Sequence, residues 1–95
     1  MADDPRTAVL AALRQVMDPE AGQDLVSMGL VYDVAVRDGR ASVIMTTTTR
    51  GCPLSEMLRM GAEAAVLAVP GVTEADVALT WDPPWTPDRI EARAF

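Results

Sequence analysis

Leu30-Val31-Tyr32-Asp33-Val34-Ala35-Val36-Arg37-Asp38-Gly39-Arg40-Ala41-Ser42-Val43-Ile44-Met45 is the stretch that decides the fold. Its apolar period is two. Leu30, Tyr32, Val34 and Val36 fall on one face, and Asp33, Ala35 and Arg37 on the other. Asp38-Gly39 is a two-residue hairpin signal, because both residues tolerate the left-handed backbone of a tight turn. With those two as the loop, Val36 opposes Ala41, Val34 opposes Val43 and Tyr32 opposes Met45. One apolar face then runs across both strands and needs a cover.

The flanking sequence supplies that cover. Asp3 or Asp4 can cap a helix with Pro5 at its first position. Val9, Ala12, Leu13, Val16 and Met17 repeat at helical spacing until Asp18, where the following Pro19 disfavours helix. Residues 19–28 read as a loop with a turn at Ala21-Gly22. A second helix is expected from about Pro53, with Leu54, Met57, Leu58, Gly61, Ala65 and Ala68 inward and Ser55, Glu56, Arg59 and Glu63 outward. Pro70-Gly71 stops it. A third strand alternates Val77, Leu79 and Trp81 against Asp76, Ala78 and Thr80, and Asp82-Pro83-Pro84 ends it. Thr86-Pro87 can open a short final helix through Ala94. The order helix, strand, strand, helix, strand predicts an α+β two-layer sandwich, with two helices on one face of a small mixed sheet.

Composition narrows the function classes. The 95 residues suffice for a single domain with one modest core, and 49% are hydrophobic. No apolar run approaches the roughly 20 residues that span a membrane, and the first residues are acidic where a secretory leader is basic. The formal net charge is −6, there is no lysine, and the eight basic residues are scattered arginines, so no stripe exists to bind nucleic acid. One cysteine cannot close an internal disulfide, and the cytoplasm is the expected location. The absence of histidine removes the usual general base and the commonest zinc ligand. Chemistry must come from Cys52, carboxylates, hydroxyls and the backbone.

Cys52 lies in Thr46-Thr47-Thr48-Thr49-Arg50-Gly51-Cys52-Pro53, where a strand pattern gives way to a helical one. A thiol at a helix N-terminus meets unpaired N–H groups and the positive end of the dipole. Both favour thiolate, and so does a nearby Arg50. The expected thiol pKa is therefore below the ordinary value of about 8.5. Connectivity brings further segments to the same place. In an antiparallel hairpin the end of the second strand lies beside the start of the first. The helix that follows runs back, and the third strand returns to the same edge. Asp18-Pro19-Glu20, the Thr48–Pro53 loop and Trp81-Asp82-Pro83-Pro84-Trp85 should therefore converge, far from the Asp38-Gly39 tip. Within these segments Thr46 and Thr47 read as strand composition, Trp81 as core, and Trp85 equally as a brace or an exposed contact. Met57 and Met60 read as packing residues, not as metal ligands.

In order along the chain, Asp18-Pro19-Glu20, Met28-Gly29-Leu30-Val31-Tyr32, Thr48-Thr49-Arg50-Gly51-Cys52-Pro53, Pro70-Gly71-Val72 and the run from Trp81 to Ile90 resemble the PaaD/SufT-like family of metal–sulfur cluster biosynthetic proteins. The resemblance covers nearly the whole chain and implies a single iron–sulfur assembly-like domain over residues 1–95. It implies a factor that matures iron–sulfur proteins and is not an enzyme, with Asp18, Glu20, Thr48, Thr49 and Cys52 as the functional cluster. Cys52 would be the metal ligand, with Asp18 and Glu20 as oxygen ligands. One branch of the family serves an oxygenase complex and usually carries a Cys-rich C-terminal segment. That segment is absent here, so the general maturation branch is the expectation. Ala21 stands where a larger aliphatic is common, and Arg50 replaces the usual proline before Gly51.

Iron–sulfur clusters take four ligands, mostly cysteines, and one chain offers one thiolate. The expected cargo is thus a transient iron or cluster, not tightly bound by a monomer. The expected partners are iron–sulfur assembly proteins and client apo-proteins, or a second copy in a homodimer, with Arg50 and Trp85 as partner contacts and no nucleic acid or membrane. The competing readings are a thiol-dependent enzyme with Cys52 as nucleophile, weakened by the missing histidine, and a plain adaptor of an oxygenase-type complex.

Overall fold

The computed structural model describes residues 4–19, 21–48 and 53–90. Helix α1 (Pro5–Leu13) begins where Asp4 accepts the Arg6 N–H at 2.9 Å, with Pro5 in the first turn. It buries Val9 and Leu13. The helix stops short of the expected limit at Asp18, because the chain turns extended before Pro19. The Asp18 carbonyl then accepts the N–H groups of Ala21 and Gly22. Two residues on each side pair as a small antiparallel hairpin, β1 (Met17–Asp18) with β2 (Gln23–Asp24), where the sequence suggested only loop. Met17 is consequently exposed rather than part of a helical face.

The main hairpin joins β3 (Val31–Arg37) to β4 (Arg40–Met45). Val36 opposes Ala41 and Val34 opposes Val43, as the turn requires. Asp38 and Gly39 both have positive φ, 51° and 80°. The third expected pair fails, since Val31, not Tyr32, opposes Met45. The register shifts between Val31 and Asp33, which makes Tyr32 the extra residue of a bulge.

Helix α2 (Ser55–Leu67) returns the chain, and β5 (Glu74–Leu79) runs parallel to β4, with Val43 opposite Val77 and Met45 opposite Leu79. The sheet order is β3-β4-β5. The buried face of α2 is Ser55, Leu58, Ala62 and Val66, which shares only Leu58 with the expected stripe. In a helix rich in alanine and glycine, neighbouring small residues do not distinguish the inward face, and the branched Val66 decides it. Met57 and Met60 are accordingly 52% and 56% exposed and do not pack inward. Arg59 bridges Glu56 and Glu63 on the solvent side.

The helices touch each other, α1 rests on β3 and α2 on β5, so both lie in one layer. Val9, Leu13, Leu25, Leu30, Val43, Met45 and Val66 fill the space between layers. Ala35, Ser42, Ile44, Asp76 and Ala78 leave the other sheet face open to solvent. At the β3 edge, Arg6 Nε donates to the Val34 carbonyl at 3.1 Å, occupying an acceptor that another strand could otherwise use. The expected helix from Thr86 to Ala94 is a single 3-10 turn, Pro87–Arg89, after which Ile90 is extended. Among the described residues no helix is long and apolar enough to cross a membrane.

Candidate functional site

The end of β4, the start of β3 and the end of β5 meet at one edge of the sheet. Thr46 N–H donates to the Leu30 carbonyl at 2.8 Å, and Thr80 N–H to the Met45 carbonyl at 2.9 Å. Two further backbone bonds step away from that edge. Leu30 N–H donates to the Leu25 carbonyl and Leu25 N–H to the Val16 carbonyl, each at 3.0 Å. Val16 is two residues from Asp18, so the small hairpin carrying Asp18 is tied to the end of β4. Trp81 and Trp85 reach that edge through Thr47 and Met28, and the hairpin carrying Asp18 is linked to it through Leu25 and Leu30.

Asp18 is 6% exposed, and its side chain is not free. Asp18 is therefore not a solvated turn residue. Thr48 is exposed at the end of the segment that follows β4. Glu20, Thr49, Arg50 and Cys52 lie outside the described residues. Among the described residues no three His, Cys, Asp or Glu side chains group as a metal set.

Three side chains read from the sequence as strand composition (Thr47), an outward helix position (Ser55) and core (Trp81) come together instead as one polar group, with Ser55 buried and Trp81 only half-buried and outside the core. Trp81 Nε1–H donates to Thr47 Oγ1 at 3.0 Å, and Thr47 Oγ1 lies 3.1 Å from Ser55 Oγ. Thr47 and Ser55 are 2% and 8% exposed. Thr47 thus shares one hydrogen-bonded group with the residue that opens α2, and residues 48–54, Cys52 among them, run between the two. The available signal was positional. Trp81 continues the inward alternation of Val77 and Leu79, and that line ends beside the end of β4.

The final segment folds back over the same edge. Tyr32, displaced by the bulge, donates its hydroxyl to the Pro83 carbonyl at 2.8 Å, and Arg89 stacks over its ring at 4.7 Å. Trp85 Nε1–H donates to the Met28 carbonyl at 2.7 Å, and its half-buried ring packs on the core, so this residue braces the segment. Gly29, at φ +73°, lies directly under the Arg89 carbonyl, where a Cβ would overlap backbone. Asp24 holds the turn before it by accepting the N–H groups of Val26 and Ser27 at 3.0 Å. Burial pushes the Asp24 carboxyl up. Hydrogen bonds from Ser27 and Val26, together with the Arg14 charge, outweigh that and leave it below its ordinary value.

A two-layer α+β domain of this order, with its only thiol between a strand end and a helix start, defines a recognisable class. Residues 6–77 match the family model described as iron–sulfur cluster assembly protein, and the chain belongs to that family. It is 41% identical over 87 residues to the Fe-S protein maturation auxiliary factor YitW of Bacillus subtilis, covering 90% of this chain and 85% of that one. It is 39% identical over 80 residues to the auxiliary factor SufT of Staphylococcus aureus, covering 83% and 91%. A solved structure of a conserved hypothetical protein from Thermotoga maritima superposes with a TM-score of 0.84 at 45% identity, over 97% of this chain and 92% of that one.

Proposed function

We propose that this protein is a non-enzymatic maturation factor that passes iron or an iron–sulfur cluster to apo-proteins through Cys52. The observation that carries the reading is the closed base of the segment holding the only thiol: Thr47 and Ser55 are hydrogen-bonded at 3.1 Å on either side of it. Membership of the iron–sulfur assembly family and the relatives named as maturation factors support the cargo.

The ligand inventory favours transfer over storage. A cluster wants four ligands, and one chain brings one thiolate with Asp18 and Glu20 as oxygen donors. The remaining ligands come from a second copy, an assembly protein or the client. A weakly held cargo is one that can be released. Thr48 and Thr49 precede the thiol in the chain and complete the cluster that the family resemblance implies. Arg50, the charge beside Gly51 in the sequence, is the partner contact, while Trp85 serves as a brace. A reducing cytoplasm keeps such a thiol available.

The test is to supply Cys52→Ala as the only copy in cells and measure client enzyme activity and client iron content. The expected result is loss of both with little change in folding. Asp18→Asn and Glu20→Gln should weaken activity less, because the thiolate remains. Full client activity with Cys52→Ala would make the protein an adaptor. Loss of activity together with a collapse in thermal stability would make Cys52 a packing residue.

A further inference from the structure

We infer that the solvent face of α2 docks a basic amphipathic helix of a protein partner. The inference uses residues of α2 alone and stands apart from the role of Cys52. On its inner side the helix buries Leu58, Ala62 and Val66. On the opposite side Met57, Met60 and Leu67 are 52%, 56% and 44% exposed, with exposed Ala64 among them. Their spacing of three, four and three residues sets all four on one stripe, on the far side of the helix from the buried one. No charge interrupts that stripe. The charged residues of α2, Glu56, Arg59 and Glu63, lie together on one flank, where Arg59 bridges both carboxylates. A surface helix ordinarily turns charge to water, and one that is apolar on both sides is a covered helix.

The shape of the stripe selects a helix. It runs along α2 for about 15 Å, at roughly 1.5 Å per residue. Its spacing is that of a helix-packing seam, and Ala64, with half-buried Gly61 beside Met60, leaves room for a partner's side chains to enter. An extended segment gains no backbone pairing here, because between its ends α2 has bonded its own N–H and carbonyl groups. Methionine adapts its shape to its neighbours, which suits a face that is covered intermittently.

Charge selects the kind of helix. Two carboxylates share one guanidinium on the flank, leaving one negative charge, and the whole chain carries −6. The Glu56 side chain is 63% exposed and within reach of a partner. Lysine or arginine beside the partner's apolar seam completes the pairing. A second copy of this chain fits poorly, since packing antiparallel about a twofold axis brings glutamate flank against glutamate flank. Four side chains are also a small contact beside the roughly 800 Å² that each partner of a stable dimer contributes. A lipid surface fits no better, because helices that lie on membranes carry lysine or arginine on their polar face.

The test uses the full chain and two labelled synthetic helices, one built of leucine and lysine at heptad spacing and one of leucine and glutamate. Fluorescence anisotropy follows binding at physiological salt, without iron, to wild type and three variants that circular dichroism shows folded. The leucine–lysine helix should bind wild type saturably and one to one, and the leucine–glutamate helix should not bind. The Met57→Gln, Met60→Gln double variant keeps side-chain length and helix propensity, and should bind about tenfold more weakly because apolar contact is lost. Met60→Gln alone should fall between, and serves if the double variant does not fold. Glu56→Gln with Glu63→Gln should weaken binding by about threefold and flatten its salt dependence. Absence of saturable binding, equal binding by the methionine variants, or equal binding of the leucine–glutamate helix would overturn the inference. A wild-type dimer in native mass spectra that Met60→Gln dissociates would assign the face to a second copy instead. Flotation of wild type, but not Met60→Gln, with phosphatidylcholine vesicles would assign it to lipid.

Discussion

At the Asp38-Gly39 end of the sheet the ties are mainly backbone, with one exposed hydroxyl and a surface ion pair beside them, whereas at the opposite end buried and half-buried side chains add to the backbone ladder. At the tip, the N–H groups of Thr73 and Glu74 both donate to the Gly39 carbonyl, at 2.8 and 3.2 Å. At the other end, Trp81 reaches Thr47, Thr47 reaches Ser55, Tyr32 reaches Pro83 and Trp85 reaches Met28. Backbone ties accept almost any residue. Side-chain ties specify one residue each, and such specification marks an end whose geometry is used. The comparison can be broken by paired substitutions.

The largest difference should come from glycine. Gly29→Ala combines a left-handed backbone with overlap on the Arg89 carbonyl, so the final segment must lift away. A loss of about 3 kcal/mol is expected. Gly39→Ala at the tip meets the Thr73 hydroxyl at 3.0 Å, which can rotate, and the Gly71 carbonyl at 3.2 Å, which must give only slightly, and should lose about 1 kcal/mol. Equilibrium denaturation of the two variants checks this, and equal losses would erase the contrast.

The next pair is threonine. Thr47→Val leaves the Trp81 N–H and the Ser55 hydroxyl without this partner in a buried place, and should lose about 1–3 kcal/mol. Thr73→Val removes an exposed hydroxyl bonded to Gly39 at 3.3 Å and should change stability by less than about 0.5 kcal/mol. Thermal melts of both variants suffice, and a larger loss for Thr73→Val would reverse the account.

The smallest effect concerns pH. Asp24 titrates below its ordinary value of 3.8 in the folded protein. A lowered folded pKa adds stability above the unfolded value, and that stability disappears as pH falls through the folded one. Asp24→Asn should therefore be less stable than wild type near neutrality, and the difference should close only below pH 3.8. A gap that persists unchanged into acid would show that the carboxylate charge does not hold the turn before Gly29.

The sequence carried the tip end almost completely. Asp38-Gly39 declares its turn, and the turn fixes the pairing of Val36 and Val34. The opposite end was legible only in outline. Connectivity alone brings the ends of β4 and β5 together beside the start of β3. The Tyr32 bulge leaves no local mark, because alternation continues through it with one residue displaced. The inward phase of α2 was misjudged where Gly61 and Ala62, or Ala65 and Val66, compete at equal spacing. Ser55 was therefore read as outward. The contact among Thr47, Ser55 and Trp81 was not legible, because it depends on register and depth, which only the assembled sheet provides. Cys52, Glu20, Thr49 and Arg50 were singled out by sequence context and by family resemblance.

The most direct measurement is an anaerobic titration of wild type and Cys52→Ala with ferrous iron and sulfide, followed by absorbance and by native mass. Wild type should gain iron–thiolate or cluster absorbance and a matching mass increase, and Cys52→Ala should gain neither. Equal uptake by the two proteins, or none by wild type, would contradict the claim that this thiol handles the cargo.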